Sequence, residues 1–138
     1  MILVDTSAWV EGIRRTESPI DRALTRLLAS NARITVTEPV IMELLAGARS
    51  KQELSATRTR LLSFPLLRVK DLVTYERASA VWRACRKAGD PVRNTLDCLI
   101  AAVAIREGAS VLHADRDFDI IARHTPLRIE PLAATEGG

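Results

Sequence analysis

Apolar residues in this chain follow two rhythms. Short unbroken runs at residues 2–4 ("ILV"), 33–36 ("RITV"), 66–69 ("LLRV"), 110–113 ("SVLH") and 127–132 ("LRIEPL") have the length and β-branched content of strands. Between them lie longer segments with apolar residues three and four apart. "AWVEGIRR" reads as a helix capped by Thr6 or Ser7. "SPIDRALTRLLASNA" opens on Ser18 as N-cap with Pro19 in the first turn and Asp21 three residues after the cap, and Ile20, Ala23, Leu24, Leu27 and Leu28 share one face. Thr37 caps a helix through "VIMELLAGA", and "KQELSATRTRLLSF" forms another that stops before Pro65.

The second half repeats the alternation. "TYERASAVWRACRKAG" puts Tyr75, Ala78, Trp82 and Cys85 at helical spacing, with Gly89 as the stop. After the loop "DPVRN", the segment "TLDCLIAAVAIREG" carries Leu96, Leu99, Ile100 and Val103 on one face and ends at Gly108, and "DFDIIARH" is a short helix. Strands alternating with helices predict an α/β layered fold, with a mainly parallel sheet of four to five short strands and helices on both faces. One domain is expected over residues 1–132, followed by a frayed tail over 133–138.

Composition narrows the class. The 138 residues are 47% hydrophobic and 27% charged, the balance of a chain that builds a core. No apolar run reaches the roughly 20 residues that span a bilayer, and the opening "MILVDTSAWVEG" has Asp5 where a signal sequence needs apolar residues. With Cys85 and Cys98 read as reduced thiols, a cytoplasmic protein without a membrane role is expected. The net charge is +3, yet 17 of the 20 basic residues are arginine. Arginine suits phosphate or an acidic partner, so a nucleic acid or a protein partner is open, as is simple codon bias.

The acids change the picture. "VLHADRDFD" packs Asp115, Asp117 and Asp119 into alternate positions, although two carboxylates about 4 Å apart repel by roughly 4 kcal/mol in a partly screened environment. In a parallel sheet, ligands gather beyond the carboxyl ends of the strands. Asp5 ends the first strand, and the Asp115 group follows the "SVLH" strand. Asp97 lies in the first turn of its helix, and Glu43 interrupts the apolar run "VIMELL". Each has a plainer explanation: Asp97 can serve the helix dipole after Asn94, Glu43 can be an exposed glutamate, and Asp119 reads as a solvated helix residue. Asp5 and Glu43 resist it, because an isolated carboxylate among apolar neighbours is costly.

Together, Asp5, Glu43, Asp97, Asp115 and Asp117 make an oxygen-only set suited to Mg²⁺ or Mn²⁺. Zinc is disfavoured because His113, His124, Cys85 and Cys98 lack ligand spacing. An EF-hand fails because Ile120 stands where the loop needs glycine and Pro126 where it needs glutamate. Such a site suits phosphodiester hydrolysis, with Thr6 and Ser7 as donors to phosphate oxygen and Arg93 and Arg116 as phosphate clamps or ordinary surface ion-pair partners.

The blocks "MILVDTSAWVE", "EPVIMELLAGA", "GDPVRNTLDCLIAAVAI" and "VLHADRDFDIIA", in that order, resemble the four acidic motifs of the PIN-domain ribonucleases, in particular the VapC-type toxins of bacterial toxin–antitoxin modules. The resemblance covers almost the whole chain. It implies a PIN-like three-layer fold and a Mg²⁺- or Mn²⁺-dependent endoribonuclease, whose RNA target, a transfer or ribosomal RNA among the candidates, the sequence leaves open. It also implies homodimers and inhibition by a cognate VapB-type antitoxin whose peptide arm crosses the toxin. Position by position, it makes Asp5, Glu43, Asp97 and Asp115 the metal-binding and catalytic acids, with Asp117 as the additional acid and Thr6 or Ser7 as the hydroxyl after the first Asp. Where the family's last motif often has Thr or Ser, this chain has His113.

Two other readings remain. A haloacid-dehalogenase-type phosphatase needs a second Asp two residues after the first, and Ser7 stands there. In a non-catalytic RNA- or protein-binding module the acids would contact a basic partner and the arginines RNA, but a pure RNA binder gains nothing from four carboxylates aimed at phosphates without a metal.

Overall fold

The computed structural model describes residues 1–132, so the tail expected at 133–138 lies outside the described residues. The chain runs β1 (Ile2–Val4), α1 (Thr6–Arg14), α2 (Pro19–Leu28), β2 (Ile34–Thr35), α3 (Glu38–Ala46), α4 (Lys51–Leu61), α5 (Leu72–Lys87), α6 (Thr95–Glu107), β3 (Ser110–Leu112), α7 (Arg116–His124) and β4 (Arg128–Ile129). The strands pair in the order β2-β1-β3-β4, and every pairing is parallel. Leu3 sits opposite both Thr35 and Val111. The chain leaves β1 toward β2 and later leaves β3 toward β4, in opposite directions. The switch point therefore lies between the carboxyl ends of β1 and β3, where α/β sheets open a crevice.

The helices form two layers: α1 packs on α2 and α3, and α3 on α4, while α5 packs on α6 and α7. Leu3, Val4, Val111 and Leu112 are fully buried between them. The α6 helix is buried from Asp97 to Ala104 without a break, not only on the face of Leu99, Ile100 and Val103. Its small residues, Ala101, Ala102 and Ala104, allow α5, α7 and β3 to approach it closely from several sides. Gly108 closes the helix in a left-handed conformation at φ 69°, which glycine adopts without a Cβ penalty.

Several local expectations are met and several are corrected. Ser18 caps α2 by accepting from the Asp21 amide at 3.1 Å, while Asp21 accepts from the Glu17 amide at 2.8 Å. The cap of α1 is Asp5 rather than Thr6 or Ser7: its carboxylate accepts from the Ser7 amide, while the Thr6 and Ser7 hydroxyls are engaged as donors to the carboxylates of Glu43 and Asp5. On α5 the buried face is Thr74, Ala78, Val81 and Cys85, with Trp82 half-buried and Tyr75 exposed.

The "LLRV" segment does not form a strand. It makes one parallel bridge, Leu66 with Val36, through Val36 N–H to Pro65 O and Leu67 N–H to Val36 O. Beyond that bridge, side chains satisfy its backbone. Glu38 accepts from the Val69 amide at 2.8 Å, and Arg106 donates to the Val69 carbonyl at 2.9 Å and to the Arg68 carbonyl. Arg106 also reaches Thr74 Oγ1 at 2.9 Å, so one guanidinium ties this loop and α5 to α6.

Arg106→Ala leaves those carbonyls to water or to nothing, and it is expected to destabilise the protein by about 2–3 kcal/mol. Urea denaturation checks this; an unchanged midpoint counts against the loop being held by that side chain.

Candidate active site

The switch point concentrates the acids. β1 ends at Val4, and the extended backbone of Asp5 (φ −74°, ψ 159°) turns its carboxylate over the start of α1. Asp5 Oδ2 accepts from the Ser7 amide at 3.0 Å and from the Ser7 hydroxyl at 2.5 Å. The same hydroxyl oxygen accepts from the Ala114 amide at 2.9 Å, which stitches the turn after β1 to the turn after β3. Across the strands, Asp5 N–H donates to Leu112 O at 3.0 Å.

The turn after β3 runs through His113 and Ala114 to Asp115, which caps α7 by accepting from the Asp117 amide at 3.0 Å. Asp117 is 2% exposed, and its Oδ2 accepts from the main-chain amide of Arg93 at 2.9 Å. The Arg93 side chain is 71% exposed, with Nε 3.8 Å from Asp117 Oδ1. One residue on, Asn94 caps α6 through the Leu96 amide, which brings Asp97 inward from the first turn.

Asp97, Asp115 and Asp117 each present an oxygen within 4.8 Å of the other two. Burial pushes Asp97 up to about 9, helped by contact with the Asp115 carboxyl and then by the charges of Asp115, Asp5 and Asp117. Burial likewise raises Asp5, with a smaller push from Glu43, against hydrogen bonds from Ser7 that favour its charged form. Glu43, half-buried on α3, accepts from the Thr6 hydroxyl at 2.6 Å. Neither Glu43 nor Asp5 belongs to the three-acid group, though the charge of Glu43 is felt at Asp5. Arg116 is exposed at the first position of α7.

One buried carboxylate oxygen each on Asp5 (Oδ1), Asp97 (Oδ2) and Asp117 (Oδ1) finds no hydrogen-bond partner among the described residues. A buried carboxylate oxygen without a hydrogen bond is costly, and three at one sheet edge, only that of Asp117 with a cation near it (Arg93 Nε at 3.8 Å), form an arrangement that protons or a metal ion would relieve. The donors are all hard oxygen, which fits a magnesium-like ion and not a soft one.

Three contacts have no clear signal in the sequence: the Ser7 stitch, the Arg93 main-chain bond to Asp117, and the engagement of Asp119. Asp119 is 56% exposed, as a solvated residue should be, yet its Oδ1 lies 3.1 Å from His113 Nε2. Only the spacing of six residues across the turn into α7 hints at that pair.

The family model of the PIN domain matches residues 2–124. The chain belongs to the PIN-domain family. Within it, this PIN domain is similar to ribonuclease VapC11 of Mycobacterium tuberculosis, 46% identical over 129 residues that cover 93% of this chain and 96% of that protein. Its fold matches that of the VapBC2 complex of Rickettsia felis, solved bound to a promoter DNA fragment, with TM-score 0.72 at 22% identity over 94% of this chain and 98% of that one. It also matches VapC20 of M. tuberculosis, described as a sarcin–ricin loop cleaving toxin, with TM-score 0.64 at 21% identity over 93% and 99% of the two chains. Among the described residues no helix is long and apolar enough to cross a membrane.

The raised Asp97 carboxyl has a thermodynamic sign. The folded state holds a proton that the unfolded state has released, so between pH 3.8 and about 9 this group makes the metal-free protein less stable as pH rises. In chelator at pH 8, Asp97→Asn is therefore expected to raise Tm by about 3–8 °C, with the gain shrinking toward pH 4. A melting series across pH on both proteins checks it; parallel curves with no pH-dependent gap contradict the assignment.

Proposed function

We propose that this PIN domain is a divalent-metal-dependent endoribonuclease, the cytoplasmic toxin of a type II toxin–antitoxin module, held inactive by a cognate VapB-type antitoxin. The observation that carries the reading is the group of Asp97, Asp115 and Asp117 with Asp5 beside it, rich in unpaired buried oxygen at the sheet's switch point. The 46% identity to a named VapC ribonuclease across nearly the full length of both chains supports RNA as the substrate.

In this reading Asp97, Asp115 and Asp117 would hold Mg²⁺ or Mn²⁺, with Asp5 and Glu43 completing the acidic wall. Bound there, such an ion would lower the pKa of water and would offset the charge that develops on the phosphate and the leaving oxygen. The protein's own groups do the positioning. Ser7 fixes the Asp5 carboxylate, and Thr6 fixes Glu43. Both hydroxyl protons are spent on carboxylates, so Thr6 and Ser7 act on the substrate by aiming these acids. Arg93 and Arg116, both exposed and each next to an acidic turn in the chain, supply planar donors to the RNA phosphates.

The antitoxin reading is supported by the VapC relationship and by a groove of about 660 Å³ whose lining includes Thr6 and Glu43. Trp9, Val10, Ile13 and Leu44 line its apolar part, and Arg14, Arg49 and Arg60 its basic part. An amphipathic peptide arm laid along it would pass Glu43, whose charge is felt at Asp5. Homodimerisation fits the same family reading.

Asp5→Asn and Asp97→Asn are expected to reduce RNA cleavage by at least about 100-fold, about 2.7 kcal/mol of transition-state stabilisation, with far-UV circular dichroism unchanged. EDTA should stop the wild-type enzyme, and added Mg²⁺ or Mn²⁺ should restore it. Sequencing the ends of RNA cut by wild type and by Asp97→Asn checks this directly. The same cut sites at the same rate in both, or full activity in chelator, would overturn the proposal.

A further inference from the structure

His113 occupies the place where the resemblance leads one to expect a hydroxyl, and its two ring nitrogens do different work. Its side chain is 7% exposed and lies against Phe118, the ring centroids 5.2 Å apart. Nδ1 accepts from the Asp115 amide at 3.0 Å. An imidazole that accepts at Nδ1 carries its proton on Nε2, and Nε2 faces Asp119 Oδ1 at 3.1 Å. The order of contacts is then fixed. Asp119, one turn into α7, accepts the Nε2 proton and holds the tautomer. The Nδ1 lone pair in turn holds the backbone of Asp115, whose carboxylate caps α7 and faces Asp97.

A threonine or serine hydroxyl can both donate and accept and can rotate. The imidazole here is rigid, packed and clamped at both ends. We infer that His113 and Asp119 form a positioning pair for the metal site: the exposed Asp119 locks the His113 tautomer, and His113 locks the turn that sets Asp115 against Asp97. The inference rests on the reading of the acidic group as a divalent-cation site. Neither residue touches the ion or the RNA; both act through Asp115.

Titrating full-length protein with Mn²⁺ alone, without RNA, tests it. Groups that orient metal ligands typically change affinity by about 10- to 100-fold when removed. His113→Leu, which keeps a buried apolar side chain but offers no acceptor, is expected to weaken Mn²⁺ binding by about that factor. His113→Asn can place Oδ1 where Nδ1 was and is expected to recover most of the affinity. Asp119→Ala, at an exposed position that does not threaten folding, is expected to give a smaller loss in the same direction. In cleavage assays the Mn²⁺ concentration for half-maximal rate should shift in the same order, with the rate at saturating Mn²⁺ changing far less.

A ¹⁵N spectrum of His113 supplies a readout independent of metal and should show a bare Nδ1 and a protonated Nε2. A proton on Nδ1, equal affinities for wild type and His113→Leu, or His113→Asn as weak as His113→Leu would overturn the pair. A wild-type protein that binds no Mn²⁺ overturns the cation site itself, and the pair's role with it.

Discussion

Carboxylates that repel one another stay together in a folded protein only when the chain around them holds them there, and here the holding is done by a parallel sheet four strands wide. Pairing β1 with β3 places Asp5 and the turn through Asp115 at the same edge, because parallel strands end on the same side. The buried residues Leu3, Val4, Val111 and Leu112 anchor that edge from below. The hydrophobic layers thus underwrite an electrostatic arrangement that is unfavourable in itself. Asp97, which burial and its neighbours bring to about 9, is where that tension is greatest.

Around this edge the chain spends its polar groups on alignment. Ser7 is bonded both to Asp5 and to the Ala114 amide, so the first and last acidic turns cannot drift apart independently. Asn94 and Arg93 bring the start of α6 to the same place, one through a cap and the other through its amide on Asp117. The unpaired oxygens left on Asp5, Asp97 and Asp117 point to what this alignment serves. A PIN domain built this way makes a charged pocket from rigid elements, whose geometry is fixed before any ligand arrives.

The meeting of the acids was legible because it follows from topology. Once "ILV" and "SVLH" are read as parallel strands, Asp5 and Asp115 must share an edge, whatever the detailed packing. The ring of caps was half legible: Ser18 and Asn94 signal themselves, whereas Asp5 as the cap of α1 depends on a contest between neighbouring polar groups. The "LLRV" segment misleads because its apolar rhythm is that of a strand, and only Glu38 and Arg106, distant in sequence, decide where its backbone hydrogen bonds go. The α6 helix hides its burial because a helix packed on several sides has no polar face from which to read an orientation. Contacts such as His113 with Asp119 are set by the turn geometry between them, which residue types alone do not encode.

The bond between Asp117 and residue 93 is made by the main chain, and every amino acid except proline carries that amide. The side chain at 93 adds only a largely exposed ion pair to that centre, its Nε 3.8 Å from Asp117 Oδ1, while standing at the rim. Evolution or a protein engineer can vary it, changing which backbone shape or base a nucleic acid presents most comfortably there, while the main-chain bond to Asp117 stays in place. Chemistry and discrimination are separated at a single position by dividing them between backbone and side chain.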